Sequence, residues 1–170
     1  SLELAVLEGR IRIGLGQLDR ARELFDQVLS REKNNLDAQF ALAELDVASG
    51  RRRNAALKYL ETLRIRPDSQ QALLALAVLN EDAEPAEARR YLEMALRYHA
   101  DDPQVRYAAA RSALQHGEPS RAESHLQAAL SLRPGFLDAS LLLAQVRLVQ
   151  GRPAEAASAT GAPKLARAKS

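Results

Sequence analysis

An all-α, right-handed solenoid of antiparallel helix-turn-helix repeats is the fold this sequence predicts, and three observations predict it. Alanine returns at Ala21, Ala55, Ala88, Ala122 and Ala156, about every 34 residues with one interval a residue short. After each of the first four alanines, one helical turn on, stands a bulky residue, Phe25, Tyr59, Leu92 or Leu126, and a further turn on come Leu29, Leu63, Leu96 and Leu130. Upstream, small residues recur at Gly9, Ala43, Ala77, Ala110 and Ala144, followed by a turn glycine at Gly16, Gly50, Gly117 and Gly151. Small beside large is the requirement of a close helix crossing: Gly or Ala lets two antiparallel helices approach, and the neighbouring Phe, Tyr or Leu fills the space beside the contact. One such hairpin cannot bury its apolar side alone, so several must stack.

The elements follow in order. Residues 2–35 carry Gly9, Gly16, Ala21, Phe25 and Leu29 and break at Asn34-Asn35. Residues 36–69 carry Leu42-Ala43, Gly50, Ala55, Tyr59 and Leu63 and end at Pro67. Residues 70–102 lack the turn glycine and read "NEDAEPAEA", which places the missing residue between Ala77 and Ala88; Asp101-Asp102-Pro103 marks the break. Residues 103–136 carry Ala109-Ala110, Gly117, Ala122, Leu126, Ala129-Leu130 and Pro134. A partial fifth copy, 137–159, decays after Ala157, so its second helix is expected to be short. Residues 160–170, with Lys164, Arg167 and Lys169, are expected to form a flexible basic tail.

These residues resemble the tetratricopeptide repeat family, whose pattern has Gly or Ala late in the first helix, Gly in the turn, Ala in the second helix, an aromatic one turn later and Pro at the end. The resemblance covers about four and a half repeats over residues 1–159. It departs where the family often has Trp and Tyr in the first helix: here stand Ala5, Gln39, Leu73, Arg106 and Ser140, then Arg12, Asp46, Asn80, Ala113 and Arg147. An Ala/Leu-built core is implied, consistent with 4% aromatic residues.

Composition narrows the function classes. The 170 residues are 46% hydrophobic and 27% charged, as in a globular domain. No apolar run approaches the roughly 18–20 residues of a membrane helix, Leu141-Leu142-Leu143-Ala144 being soon interrupted by Gln145 and Arg147. The N-terminus has no signal-peptide pattern, which is expected of a fragment or a processed chain. Cysteine is absent, which excludes disulfides and thiolate metal sites and leaves the compartment open. Net charge is +2, and the run Arg51-Arg52-Arg53 falls on turn positions filled elsewhere by Gln17-Leu18-Asp19-Arg20, Glu118-Pro119-Ser120-Arg121 and Arg152-Pro153-Ala154-Glu155, with no basic stripe that repeats, so a solvated turn is expected. A helical repeat that binds nucleic acid needs cations or stacking aromatics at one position in successive copies, and none recurs. His99, His116 and His125 show no metal-ligand spacing, Ser120, Ser124 and His125 have no nucleophile elbow, and Gly14 and Gly16 belong to the repeat turn. No cofactor, no metal and no catalytic group is expected.

In repeats that resemble these, the first helix of each pair lines a concave groove and its fifth residue points inward. The resemblance therefore implies a partner-binding groove with Val6, Phe40, Leu74, Tyr107 and Leu141, then Arg10, Glu44, Val78, Arg111 and Gln145 one turn later. An apolar stripe flanked by mixed charges suits an amphipathic helix or an extended apolar peptide. Aliphatic residues at this spacing also pack between helices, so Phe40 and Tyr107, with Arg111 one turn from Tyr107, are the stronger anchors. A clamp for chaperone C-termini needs cations where Val6, Leu74 and Val78 stand, which disfavours that subgroup. The last first-helix carries more apolar residues than residues 153–159 can cover, which points to a homo-oligomer or a continuation of the solenoid through residues 141–149. The reading is a non-catalytic scaffold with a protein or peptide partner. Twenty arginines against four lysines point to a GC-rich bacterium. Similar arrays occur in envelope and exopolysaccharide-secretion assemblies, so the periplasm is preferred over the cytoplasm. A cytosolic adaptor or co-chaperone-like module and an RNA-binding helical repeat are the alternatives.

Overall fold

The computed structural model describes residues 1–160, which hold ten helices and no strand. The tail expected at 160–170 lies, apart from Thr160, outside the described residues. Two compact units divide the chain between Ala88 and Arg89. The first contains α1 (Leu2–Gly14), α2 (Leu18–Arg31), α3 (Leu36–Ala48), α4 (Arg52–Ile65) and α5 (Gln70–Asn80); α6 (Pro85–Tyr98) begins in the first unit and ends in the second. The second continues with α7 (Pro103–Gln115), α8 (Pro119–Leu132), α9 (Leu137–Val149) and α10 (Pro153–Ala159). The fold class is the all-α repeat of helical hairpins that the periodicity predicts.

Local chemistry fixes where each helix begins and ends. Four first helices start on a side-chain cap: Ser1, Asn35, Ser69 and Asp102 accept from the backbone N–H of Leu4, Ala38, Ala72 and Val105, satisfying donors that the first turn leaves unpaired. Proline at the first helical position starts α7, α8 and α10, where its missing N–H costs nothing. Four hairpin turns close on glycine at φ of 71 to 74°. There the residue after the glycine donates back to the carbonyl five residues earlier, as Gln17 does to Arg12 and Arg51 to Asp46. The third turn has no glycine and no left-handed residue; Glu84 N–H instead donates to Asn80 O and the hairpin closes one residue sooner. The missing residue thus lies where the sequence places it.

The predicted crossings are present within each unit. In the first, α1 packs on α2 and α3, and Val6, Ala21, Phe25, Val28, Ala38, Ala41, Leu42 and Leu45 form one buried cluster. A methyl group on Gly9 would lie 2.2 Å from Cε1 of Phe25, so the smallest residue stands where the largest side chain crosses. In the second unit, Ala110, Ala113, Ala122, Leu126, Ala129, Phe136, Ala139, Leu143 and Val146 join α7, α8 and α9. Burying each of these larger aliphatic side chains stabilises the fold by roughly 1.5–3 kcal/mol.

Candidate functional site

The ten groove residues fall into two sets, one in each unit. In the first unit Val6 is buried in the α1–α2–α3 core, so it packs the repeat junction and offers little to a partner. Phe40 is half-buried, its ring held against Tyr59 of α4 with centroids 4.9 Å apart and planes tilted by 52°. Tyr59 itself is buried, and that burial, with the nearby Glu44 and Asp46 carboxylates, pushes its phenol up to about 12. Arg10 and Glu44, one turn along α1 and α3, bind each other at 3.2 Å. Leu74 is half-buried, while Val78 is exposed. Val6 and Arg10, with Glu3, Leu7, Asn35 and Asp37, line a cleft of about 190 Å³.

In the second unit Tyr107 is half-buried against Phe136, centroids 5.2 Å apart and planes tilted by 48°. The Arg133 guanidinium lies 3.7 Å from the Phe136 ring centroid, so cation and ring hold the shelf under Tyr107. Arg111, Leu141 and Gln145 are exposed. Each unit thus has one half-buried aromatic side chain on a first helix packed against a second ring.

Two buried carboxylates were not singled out as sites by the sequence. Asp46, 1% exposed, accepts from Arg22 at 3.0 Å, Arg51 at 2.9 Å and Lys58 at 2.5 Å. Burial alone would raise its pKa, but the hydrogen bonds from Lys58, Arg51 and Arg22 outweigh that and hold it below the usual carboxylate value. Glu123 accepts from Arg147 at 3.0 Å and Arg152 at 2.7 Å, with the same balance of burial against its two arginines and the same direction of shift. Arg22 to Asp46 and Glu123 to Arg147 occupy the same repeat positions with the charges exchanged. The only sequence signal was that Asp46 and Arg147 stand where the family often has an aromatic.

These contacts also revise the arginine run. Arg51 serves Asp46, and Arg52 donates to the carbonyl of Leu79 at 3.0 Å, tying α4 to α5, so two of the three are structural and not merely solvated. A cavity of about 30 Å³ in the second unit is lined by Arg89, His116, Glu118, Arg121 and His125 among others. That volume holds a water molecule or two, well short of the roughly 300 Å³ at which small-molecule pockets begin. No group of three or more His, Asp or Glu side chains able to hold a metal is found among the described residues. No helix among them is long and apolar enough to cross a membrane.

Two tetratricopeptide-repeat family patterns match the sequence, at residues 12–55 and 107–162, together more than half of the chain. The chain belongs to the tetratricopeptide-repeat family. Solved structures share the fold. TTC0263, a thermophilic tetratricopeptide-repeat protein of Thermus thermophilus, superposes with a TM-score of 0.73 at 20% identity, covering 94% of this chain and 88% of its own. MamA from Desulfovibrio magneticus RS-1 gives 0.71 at 15% identity, covering 94% and 91%. YrrB, described as a tetratricopeptide-repeat protein with an unusual peptide-binding site, gives 0.61 at 18% identity, covering 91% and 80%. No protein with a curated description matches. Tetratricopeptide-repeat proteins mediate protein–protein interaction and are generally scaffolds without catalytic activity, and this chain has the corresponding architecture.

Proposed function

We propose that this tetratricopeptide-repeat protein is a non-catalytic scaffold whose first helices hold amphipathic helices or extended apolar peptides of a partner protein, with Phe40 as the anchor in the first unit and Tyr107 as the anchor in the second. The observation that carries this reading is the pair of ring-backed aromatics. A side chain already fixed by Tyr59 or by Phe136 and Arg133 loses little conformational freedom when a partner covers it, the economy that makes aromatic anchors energetic centres of interfaces. Val78 in the first unit and Leu141 in the second supply exposed apolar area on the same set of first helices. Arg111 is the cation available one turn from Tyr107, whereas Arg10 and Glu44 largely neutralise each other. The division into four and a half repeats over residues 1–159 belongs to the same reading. Arginine-rich composition accords with a bacterial source, and the resemblance to Ala/Leu-rich repeat arrays of bacterial envelope assemblies, such as those for exopolysaccharide export, supplies the setting proposed.

The test is affinity capture from lysate of the source cell with the wild-type chain beside Phe40→Ala/Tyr107→Ala, both first checked for equal helicity. A partner held by the wild type and lost from the variant supports the surface. Equal retention by both overturns it.

A further inference from the structure

Helix α4 carries an outward stripe that the other second helices do not share. Helices α2, α4, α6 and α8 each run fourteen residues, so their positions correspond one to one. In α4 the fourth, eighth and eleventh residues, Ala55, Tyr59 and Thr62, are buried, as are their counterparts in α2 and α8. The second, sixth, ninth and thirteenth residues fall on one line along the opposite side of the helix, and in all four helices they are exposed. That line is acidic in α2, at Asp19, Glu23 and Asp26, mixed in charge in α6, and serine and glutamine in α8. In α4 it reads Arg53, Leu57, Leu60 and Arg64, with Leu57 exposed by 60% and Leu60 by 43%.

Charge gathers on the same helix. Residues 51–66 hold six cationic side chains and one anionic one, a net charge of +5 in a chain whose total is +2, so everything outside this segment is net −3. At one end of the stripe Arg64 pairs with Glu61 at 2.7 Å. At the other end Arg53 has no ion pair among the described residues, while Arg51 serves Asp46 and Arg52 the carbonyl of Leu79. Arg53 is thus the member of the arginine run that the fold does not use, and it stands one helical turn from Leu57.

We infer that the outward face of α4 is a second docking surface, separate from the first-helix surface of Phe40 and Tyr107, and that its occupant is an acidic amphipathic helix of a partner protein. Apolar side chains spaced i, i+3 and i+4 on that helix cover Leu57 and Leu60, and carboxylates beside them meet Arg53. Charge selects the class of occupant: a local +5 on a chain that is otherwise net negative attracts an anionic partner and orients it on this helix. Shape selects among anionic partners. A bilayer or a nucleic-acid strand extends past one helix, and next to α4, on the preceding hairpin of the same unit, the same line carries the repelling Asp19, Glu23 and Asp26. Two leucines are also too narrow an apolar face to enter a bilayer. A single helix is about 10 Å wide and rests on α4 alone. The acidic line of α2 on a second copy offers no apolar side chain to cover the leucines. A contact of this size is transient, and its affinity depends on salt.

A displayed library of amphipathic helical peptides, selected on the full 170-residue chain and re-sorted on variants of it, tests the inference. The variants are Leu57→Gln/Leu60→Gln, Arg53→Glu and Phe40→Ala/Tyr107→Ala, each checked for helicity by circular dichroism; the α4 changes lie at exposed positions, so the fold is expected to survive them. The selection should yield peptides with Leu or Ile on one face and Asp or Glu beside it. Their binding should be unchanged by Phe40→Ala/Tyr107→Ala, weakened about 10-fold or more by Leu57→Gln/Leu60→Gln, and weakened by Arg53→Glu and by added salt. A selection that yields no peptide dependent on Leu57 and Leu60, or only peptides without acidic residues, overturns the inference. Peptides lost from Phe40→Ala/Tyr107→Ala alone would belong to the first-helix surface, so the two readings fail separately. Phosphatidylserine vesicles bound by the wild type and released by Leu57→Gln/Leu60→Gln would replace the helix with a lipid surface, and self-association in sedimentation equilibrium that the same variant loses would replace it with a second copy.

Discussion

Gly9 has no room for even a methyl group. Its neighbour across the α1–α2 crossing is the ring of fully buried Phe25, a rigid group that cannot swing aside as the tip of a long aliphatic chain could. Gly9→Ala gains helix propensity of about 1 kcal/mol and still loses overall. Displacing the ring or the helix costs about 1–3 kcal/mol beyond that gain. Gly14→Ala, where a methyl group meets nothing within 4 Å, is the matched control and should be neutral or slightly stabilising. Urea denaturation of the two variants beside the wild type measures the difference. Equal midpoints for Gly9→Ala and Gly14→Ala would show that Phe25 has room to move.

Helices are held in register at repeat junctions by charge as well as by shape. The second unit joins α8 to α9 through Glu123 and Arg147, and the first joins α2 to α3 through the inverted pair Arg22 and Asp46, each helped by an arginine at the same turn position, Arg152 or Arg51. Exchanging the charges at the second junction therefore rebuilds a constellation the chain already uses. Glu123→Arg alone and Arg147→Asp alone each set like charges together in a buried place and should cost about 2–4 kcal/mol. The double variant should recover most of that loss, and a double-mutant cycle by chemical denaturation measures the coupling. These pairs were illegible in the sequence, because their members sit on different helices of different repeats and each alone looks like one more surface charge. The small and large residues of the crossings and the turn glycines were legible, since each recurs at one repeat position and answers to local geometry. The ring-backed anchors lie between the two cases: Phe40 and Tyr107 could be named from the repeat, but the shelf of Arg133 and Phe136 could not, because it arises where a chain break folds back onto a helix.

For the molecule as a whole, the buried carboxylates set the response to acid. Asp46 in one unit and Glu123 in the other have folded pKa values below those of the unfolded chain, about 3.9 and 4.3. Their contribution is complete above that range and is lost as pH falls through it, when the unfolded chain takes up protons that the folded one refuses. His125 adds an earlier, shallower fall: burial, then the charges of Arg106 and Arg121, hold its pKa below the ordinary 6.5, so the unfolded chain protonates first as pH drops through that value. Thermal unfolding should give a Tm that is level above pH 7, declines gently towards pH 5 and steeply below about pH 4.5, with the gentle part absent from His125→Leu. A Tm in that variant that follows the wild type throughout would assign the gentle part to other groups. The ring arrangement has a spectroscopic consequence as well. The chain has four tyrosines and no tryptophan, so its near-ultraviolet emission is tyrosine emission alone. Tyr59 is sealed behind Phe40, with a phenol that stays protonated far into alkali, while Tyr107 stands half open on its shelf. A ligand laid across α7 quenches or brightens one fluorophore against a steady background, so occupancy can be read by light from the unlabelled protein.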